Sequence, residues 1–452
     1  MKTAIIIANE RKSRIDSTIP TVLHKIIDKP MVEKVVDNFK GLEFENIVSV
    51  IDKDKDKIVE CLKDKSHFIK IDEKIKMFQA VNKIEKLSEV DGYTFVTDSH
   101  VPLITKETYS MMMKMVEKYP MVILTGYADG YTGCDIITRN PAKSVRTIIK
   151  YEDASADERA IREVNMNVYA FNNKLLFKYL KQLSNKSEDI DVIDLLKAFK
   201  ADGHTVMPLQ LADAGEAKRI TSRKDLVFAN DWERVRVNNY WLENGVTIYD
   251  SASTTIGSDV IIGHDTIIYA NNKIIGKTVI GKHNVLESDN KIMDSKIGDD
   301  NLIQHSIINK SEIKDKNTLG PWANIRESVT IGNGNRIGSN VELKKTHIQD
   351  HNAIAHTVYL GDTTMQNHNN IGWGVVTANY DGNKKSKTTI GSNSFIGSSS
   401  TIIAPVNIGS KAVVAAGSTI TMDVEDEAMA IARGRQSNKT KRGKMYLERE
   451  EK

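Results

Sequence analysis

The pattern of hydrophobic positions divides the chain into two halves. Up to about residue 245, short apolar runs typical of buried strands occur together with stretches whose apolar residues have helical spacing. The strand-like runs are 4–8, 47–51, 93–96 and 121–124, and a helical stretch at 31–39 follows the first of them. Strands that alternate with helices predict an α/β sheet covered on both faces.

After Gly245 the apolar positions follow a period of six residues. The runs, with one slip of phase, are Ile256, Ile262, Ile268, Ile274, Ile280, Leu286 and Ile292, then Ile297 and Ile303, then Leu319, Ile325, Ile331, Ile337 and Leu343, and finally Ile390, Ile396, Ile402, Ile408, Val414 and Ile420. This period predicts a parallel β-helix of hexapeptide repeats, three to a coil, with the aliphatic residues pointing inward. Residues 361–389 interrupt the period and predict a loop that projects from the coils.

One amphipathic helix is predicted between the halves, over residues 223–244. Leu226, Trp232, Val235 and Leu242 are spaced roughly for one face, and Gly245 supplies a stop. The predicted organisation is a domain at 1–225, a linker helix at 226–245 and a β-helix domain at 246–452, which ends in a basic tail after Arg433.

Charge and composition narrow the class of protein. The 452 residues carry 63 Lys and Arg against 60 Asp and Glu, so the net charge of +3 excludes polyanion binding driven by bulk charge and predicts no nucleic-acid partner. No apolar run approaches the ~18 residues of a membrane span, which predicts no transmembrane segment. Cys61 and Cys134 exclude a disulfide framework. We therefore expect a cytoplasmic protein.

Motifs in the second half carry a resemblance to a known family. They arrive in the order Asn-Val-Glu-Leu-Lys-Lys at 340–345, His-Thr-Val-Tyr-Leu-Gly-Asp at 356–362, Asn-Ile-Gly at 370–372, Ala-Asn-Tyr-Asp-Gly at 378–382, Lys-Ser-Lys-Thr-Thr-Ile-Gly at 385–391, Ala-Pro-Val at 404–406 and Ala-Ala-Gly-Ser at 415–418. The chain closely resembles, over essentially its whole length, the bifunctional family that joins an N-acetylglucosamine-1-phosphate uridylyltransferase to a glucosamine-1-phosphate N-acetyltransferase.

The resemblance implies a fold, an activity and an assembly. The implied fold is an α/β nucleotidyltransferase-like (Rossmann-like) N-terminal domain plus a C-terminal left-handed parallel β-helix of hexapeptide repeats. The implied activity is acetyl-CoA-dependent N-acetylation of glucosamine-1-phosphate on the way to UDP-N-acetylglucosamine, a precursor of peptidoglycan and the cell wall. The implied assembly is a homotrimer whose active sites lie between subunits.

The resemblance also implies roles for residues of the acetyltransferase site. His356 matches the general base, because a neutral imidazole can take the proton that an amine must lose to attack a thioester. Glu342 matches an acidic residue that orients this base, although a plain surface charge is the alternative. The sugar-phosphate contacts are Arg326, Lys344, Tyr359, Asn370 and Lys385, and the acetyl-CoA contacts are Asn379, Tyr380, Ser398, Ala416 and Arg433. Each of the cations can also be a solvated surface charge.

Trp373 is a departure from the family within this site. The family has a small residue between the glycines of Asn-Ile-Gly-x-Gly, where this chain has Gly372-Trp373-Gly374. Near the acetyl-CoA tunnel an indole can narrow the tunnel, stack on the pantetheine arm or block it.

The first half departs from the family where its chemistry lies. In place of the family's glycine-rich nucleotide loop, the chain has Asn9 to Arg14, with Glu10 at a position where a triphosphate should lie and with Arg14 retained. The magnesium ligands are replaced by His100 and Thr221. Other family positions are taken by Lys12, Thr21, Lys76, Met77, Asp135 and Lys150, whereas Asn165 is kept. Because nucleotidyl transfer depends on metal and phosphate binding, we expect an inactive or altered site without magnesium.

Three hypotheses follow. The first is an acetyltransferase with a degenerate uridylyltransferase domain. The second is a fully bifunctional enzyme, in which Asp98 or His100 binds a metal. The third is an inactive paralogue that acts as a regulatory or scaffold subunit.

Overall fold

The computed structural model describes residues 1–8, 15–52, 56–71, 77–84, 91–127, 134–187 and 189–447, and all structural statements concern these residues. The chain forms two compact units, Met1–Glu233 and Arg234–Lys452, which are described separately. Helix Arg223–Glu243 starts in the first unit and ends in the second. The sequence-based division at 225 and 245 instead sets this helix apart as a linker.

A nine-strand mixed sheet forms the centre of the first unit. Its strands and those beside it are β1 (Lys2–Ile7), β2 (Lys25–Ile26), β3 (Lys29–Pro30), β4 (Asn46–Asp52), β5 (His67–Ile71), β6 (Tyr93–Asp98), β7 (Met121–Tyr127), β8 (Ile136–Arg139), β9 (Val145–Ile149), β10 (Glu163–Asn172) and β11 (Val206–Gln210). Seven strands lie in one row in the order β11-β7-β10-β6-β1-β4-β5, with β10 antiparallel to both of its neighbours, and β8 and β9 are joined to this row through β10.

Helices cover this sheet on both faces, as the alternating pattern predicts. They are α1 (Met31–Lys40), α2 (Asp56–Leu62), α3 (Met77–Asn82), α4 (Lys106–Val116), α5 (Ala156–Arg159), α6 (Asn173–Ser184) and α7 (Val192–Ala201). One core forms between the sheet and the residues around Phe39 and Tyr109, and a second around Phe171 and Phe199. The strand β6 ends at Asp98, beside the end of β1, and this edge positions the candidate site of the first unit.

The long helix α8 (Arg223–Glu243) buries a different face from the one predicted. Val235 and Leu242 are exposed. The buried positions are Ala229, Glu233, Val237, Asn238 and Trp241, which recur mainly at intervals of four residues. The predicted face was wrong because two polar residues are buried: Glu233 pairs with Lys34, and Asn238 donates to the carbonyls of Ser251 and Thr254.

The second unit is a left-handed parallel β-helix, as predicted. Its strands are β12 (Thr247–Ile248), β13 (Thr255–Ile256), β14 (Ile261–Ile262), β15 (Ile267–Ile268), β16 (Lys273–Ile275), β17 (Val279–Ile280), β18 (Val285–Leu286), β19 (Lys291–Met293), β20 (Lys296–Ile297), β21 (Leu302–Ile303), β22 (Ile307–Asn309), β23 (Glu312–Ile313), β24 (Thr318–Leu319), β25 (Asn324–Arg326), β26 (Thr330–Ile331), β27 (Arg336–Ser339), β28 (Glu342–Lys344), β29 (His347–Ile348), β30 (Ala353–His356), β31 (Tyr359–Gly361), β32 (Thr363–Met365), β33 (Asn370–Ile371), β34 (Val376–Ala378), β35 (Thr388–Ile390), β36 (Phe395–Ile396), β37 (Thr401–Ile403), β38 (Val406–Ile408), β39 (Val413–Val414), β40 (Thr419–Ile420) and β41 (Met429–Ala430), followed by helix α9 (Arg442–Leu447).

From β12 to β37, each strand pairs in parallel with the strand three positions later, so the coils build three flat sheets. The hexad aliphatic residues, such as Ile274, Ile292 and Ile308, lie in register on successive coils and are fully buried. Most coil corners contain one residue with positive φ, for example Asp265, His283 and Asn340. Such residues let an L-chain turn a left-handed coil, and Asn, Asp and His tolerate this conformation best after glycine.

A column of buried asparagines lines one inner corner. It consists of Asn284, Asn301, Asn317, Asn335, Asn352 and Asn369. The side-chain carbonyl of each accepts the backbone N–H of the next, at 2.8–2.9 Å from Asn284 to Asn369. These bonds satisfy polar groups that the coil would otherwise bury unpaired.

The predicted projecting loop at 361–389 is much shorter in the structure. Strands β32, β33 and β34 continue the coils, with Met365, Ile371 and Thr377 buried at the inward positions. The segment without coil strands is 379–387, where Tyr380 and Lys385 form an isolated bridge. The loop was predicted too long because threonine and methionine replace the expected Ile or Val.

Candidate active site

The predicted base and two of the predicted acetyl-CoA contacts lie in one column along a corner of the β-helix. The column runs through Ser339, His356, Trp373, Ser398 and Ala416, one residue per coil. Backbone hydrogen bonds link successive members: the carbonyl of each of the first four accepts the N–H of the residue directly after the next member of the column. The N···O distances are 2.8 Å at the carbonyl of Ser339, 3.3 Å at His356, 2.6 Å at Trp373 and 2.8 Å at Ser398. Because coils are one strand spacing apart, ~4.8 Å, Trp373 lies directly between His356 and Ser398.

From His356 onward, the side chains of this column face away from the interior of the β-helix. His356, Ser398 and Ala416 are exposed, and the Trp373 side chain is 56% exposed. Arg433 extends the column, because its Nη1 donates to the carbonyl of Ala416 at 2.9 Å. The indole therefore projects from the surface and does not fill the interior of the coils.

The predicted phosphate-binding cations lie on the neighbouring face. Arg326 of β25 is in register with Lys344 of β28, and Glu342 is in register with Tyr359 of β31. All four are partly buried. β31 follows β30 after one corner, so Tyr359 lies on the coil of His356. Glu342 and Lys344 lie one coil before it, and Arg326 lies two coils before it.

Two carboxylates hold these cations. Arg326 Nε donates to Glu342 at 3.0 Å, and its Nη2 donates to the same oxygen. Glu327 accepts from Arg326 Nη1 at 3.3 Å and lies 3.2 Å from Lys344 Nζ. The hydrogen bond from Lys344 holds the pKa of Glu327 below its usual range, and the bond to Glu342 raises the pKa of Arg326.

The remaining predicted residues of this site surround the same coils. Asn370 of β33 is in register with Ala353, three residues before His356. Asn379 is buried and donates to Asp362 at 2.5 Å. Tyr380 is exposed at the start of the loop 379–387, and the exposed Lys385 bridges to its backbone. The structure thus brings together on adjacent coils the residues that the sequence analysis selected.

In the first unit, Asp98 is the centre of a closed charge cluster. Its Oδ2 lies 2.6 Å from Arg219 Nη2, and its Oδ1 accepts from the backbone N–H of His100 at 2.9 Å and lies 2.8 Å from His100 Nδ1. Burial raises the pKa of Asp98, but the charges of Arg219 and His100 outweigh this effect and hold it well below its usual range. His100 is buried, and its Nε2 has no hydrogen-bond partner among the described residues.

Other predicted positions of this unit have structural partners. Thr221 donates through its backbone N–H and its hydroxyl to Asp225, which lies in the first turn of α8. Asn165 is buried and donates to the Tyr169 hydroxyl at 2.8 Å. Lys150 lies 3.4 Å from Asp191.

Three further predicted positions of that unit lie among the described residues, and four do not. Asp135 contributes its carbonyl to the Asn165 N–H. Thr21 is buried, and Met77 begins α3. The residues Glu10, Lys12, Arg14 and Lys76 lie outside the described residues.

Two charged residues were missed by the sequence analysis. Glu327 follows Arg326 directly, so an acidic neighbour of a predicted phosphate ligand was a signal that could have been used. Arg219 is far from Asp98 in the chain, and no spacing rule connects them. Only the fold brings this pair together.

Comparison with known proteins decides the family. The model for a hexapeptide repeat of succinyl-transferase matches residues 387–422, and the model for bacterial transferase hexapeptide (six repeats) matches 310–345. The bifunctional protein GlmU of Shouchella clausii is 37% identical, with 96% of this chain and 97% of the relative covered. The chain belongs to the GlmU family. The family predicted from the sequence is therefore confirmed.

A second GlmU relative agrees with this placement. The bifunctional protein GlmU of Exiguobacterium sibiricum is 35% identical over 96% of this chain and 98% of its own length. A solved structure, a putative glucose-1-phosphate thymidylyltransferase from Bacillus anthracis, covers 51% of this chain and 96% of its own, with a TM-score of 0.42 and 16% identity. The predicted fold class, a nucleotidyltransferase-like N-terminal domain and a C-terminal β-helix of hexapeptide repeats, is confirmed. Among the described residues no helix is long and apolar enough to span a membrane.

Proposed function

We propose that this GlmU-family chain is a glucosamine-1-phosphate N-acetyltransferase that uses acetyl-CoA and acts as a homotrimer in the cytoplasm. The observation that carries the proposal is the column that holds His356 and Ser398 two coils apart, next to the cation pair of Arg326 and Lys344. A base, a phosphate-binding pair and a polar group on the coenzyme side are the parts that acetyl transfer to an amino sugar phosphate requires.

The proposed chemistry assigns one role to each group. The sugar phosphate binds Arg326 and Lys344, with Lys385 as a third cation. The imidazole of His356 takes the proton that the amine loses as its nitrogen attacks the thioester carbonyl. The Ser398 hydroxyl donates to the oxygen on which negative charge develops. The carbonyl then re-forms as the C–S bond breaks, and coenzyme A leaves as the thiol after its sulfur takes the proton from the His356 imidazolium.

Trp373 lies between the base and the coenzyme side and therefore controls this chemistry. Its indole projects from the coil that separates His356 from Ser398, where the acetyl group would have to pass. Replacing Trp373 by alanine leaves both backbone hydrogen bonds of its coil in place, so the coil should keep its position.

The test is release of coenzyme A from acetyl-CoA with glucosamine-1-phosphate. We expect His356→Ala to lower the rate ~10²–10⁴-fold, whereas His347→Ala, an exposed histidine on another face of the β-helix, leaves it unchanged. If the wild type is silent and Trp373→Ala gains activity, the site is intact but occluded. If both are silent, the acetyltransferase proposal fails and the scaffold hypothesis replaces it.

The first unit raises the question of a second activity. The relatives are named bifunctional, which favours uridylyl transfer by this chain as well. Against it stand the contacts of Asp98, because both of its carboxylate oxygens are already used by Arg219 and His100. A magnesium ion does not fit beside a guanidinium and an imidazole that occupy the carboxylate. From these residues we infer that magnesium-dependent uridylyl transfer is lost.

Pyrophosphate release from UTP and N-acetylglucosamine-1-phosphate tests this inference. We expect no magnesium-dependent release from the purified protein. Robust formation of UDP-N-acetylglucosamine would overturn the inference and establish the fully bifunctional alternative. In that case Asp98→Ala should abolish the activity if Asp98 binds the metal.

A further inference from the structure

Two histidines and an aspartate converge on the first coils of the β-helix, away from the candidate active site. His264 and Asp265 lie in the corner between β14 and β15, and His283 lies in the equivalent corner one coil later. The backbone N–H of Asp265 donates to the Gly245 carbonyl at 2.7 Å, and that of His283 donates to the His264 carbonyl at 3.2 Å. Their positions are thus set by the stacking of coils.

The side chains offer three ligand atoms to one point. One ligand atom from each of His264, Asp265 and His283 lies within 4.8 Å of the others. His264 Nδ1 is 2.5 Å from Asp265 Oδ2, and His283 Nε2 is 3.6 Å from the same oxygen. The three side chains are 62%, 67% and 46% exposed, respectively, so a cation can approach from solvent.

We propose that His264, Asp265 and His283 form a binding site for a divalent transition metal, represented by Zn²⁺. Imidazole nitrogen and carboxylate oxygen are the ligands that Zn²⁺ takes at ~2.0–2.2 Å in a tetrahedron, whose ligand atoms are then ~3.3 Å apart. The separation of His283 from Asp265 is already close to this value. A small rotation of the exposed His264 ring would bring its nitrogen to this separation from Asp265. A water molecule would fill the fourth position of the tetrahedron.

A carboxylate on the third coil supports this assignment. Asp300 Oδ1 lies 3.5 Å from His283 Nδ1, on the side of the ring opposite the proposed metal. Histidines that bind metals usually donate their second ring N–H to such a carboxylate, which fixes the tautomer and the ring orientation.

A metal here would join two coils at the start of the β-helix. His264 and Asp265 belong to one corner and His283 to the next, so coordination adds a link between them besides the backbone hydrogen bonds. The bound ion stabilises the folded chain because the three groups are not assembled in the unfolded chain.

Zinc titration by calorimetry tests the site, on full-length protein without a histidine tag and after treatment with a chelator. We expect one Zn²⁺ per chain and a rise of the thermal midpoint with added Zn²⁺. His283→Asn should weaken binding at least tenfold and remove the rise, and Asp300→Asn should weaken binding ~10–100-fold. Asparagine suits position 283, where φ is +57°.

His305→Asn is the matched control. His305 also has positive φ, at +41°, and lies 3.2 Å from Asp289, but it belongs to another corner. We expect the His305→Asn variant to bind Zn²⁺ with the same affinity as the wild type. Absence of binding up to 1 mM Zn²⁺, or binding that His283→Asn and His264→Asn leave unchanged, would overturn the proposal. Loss of Zn²⁺ binding in a Cys61→Ser variant would also overturn the proposal.

Discussion

Replacing Arg219 by methionine should destabilise the first unit through Asp98. The carboxylate lies 2.6 Å from the guanidinium, and its side chain is only 10% exposed. Breaking a buried ion pair costs ~3–5 kcal/mol, because one charge is left without its partner. Arg219 is 30% exposed and His100 still donates to Asp98, so we expect a smaller loss of about 2 kcal/mol.

Scanning calorimetry measures the effect. A loss of about 2 kcal/mol corresponds to a fall of ~4–8 °C in the midpoint of a unit of this size. The double variant Asp98→Asn/Arg219→Met should recover part of it, because removing the carboxylate removes the unpaired charge. Mg²⁺ should leave the wild-type midpoint unchanged, since the carboxylate already has its cation.

The effect should depend on pH in one direction. Because the pKa of Asp98 is lowered on folding, the ionised carboxylate contributes stability above its unfolded pKa, ~3.9, and this contribution is lost as the pH falls through the lowered value. The difference between wild type and Arg219→Met should therefore be constant from about pH 5 to 7 and shrink in acid. A midpoint within 1 °C of wild type at pH 7, or stabilisation of the wild type by Mg²⁺ that Asp98→Asn removes, would refute the reasoning.

Three further changes test the second unit. Ile292→Asp should unfold this unit, because Ile292 is fully buried and an unpaired charge there costs several kcal/mol. Lys291→Asp, on the outward face, should leave it folded. Both variants are compared by circular dichroism, and a native spectrum for Ile292→Asp would contradict the β-helix interior. Asn335→Leu should cost ~1–3 kcal/mol in urea unfolding, since the Asn352 N–H loses its acceptor; an unchanged midpoint would show that the column does not stabilise the coils. Glu327→Gln should lower KM for glucosamine-1-phosphate ~2–5-fold without changing kcat, because an exposed carboxylate no longer competes for Lys344; a higher KM would contradict this.

The β-helix could be predicted in detail because every coil repeats its own signal. Each inward position, such as Ile268 or Ile402, is marked locally by an aliphatic residue, and errors in one coil do not shift the others. The prediction failed at Thr377, where a small polar residue points inward and bonds to the neighbouring coil, and so the loop was drawn too long. The asparagine column was missed because asparagine alone does not indicate burial.

The first unit was harder to predict beyond its strands. Its charge cluster joins residues from the end of β6 and from the segment before α8, and pairs so distant in sequence leave no periodic mark. The buried face of α8 was missed for a related reason, since Glu233 and Asn238 are buried only because partners elsewhere satisfy them. The replaced family residues at His100 and Thr221 predict a changed site, which stays a prediction, and they do not reveal that Arg219 contacts Asp98.

The two units differ in how a single substitution can change their chemistry. In the β-helix the column backbone is held by bonds between coils, such as Gly374 N–H to the His356 carbonyl, which involve no side chain. A change at Trp373 therefore alters the exposed surface between His356 and Ser398, while these two residues keep their positions. In the first unit, by contrast, the position of Asp98 depends on the charges of Arg219 and His100, so a substitution that frees the carboxylate also removes what stabilises it. Under the proposed function, we therefore expect one change at Trp373 to be enough to open the acetyltransferase site, whereas freeing Asp98 for a metal would require changes at both Arg219 and His100.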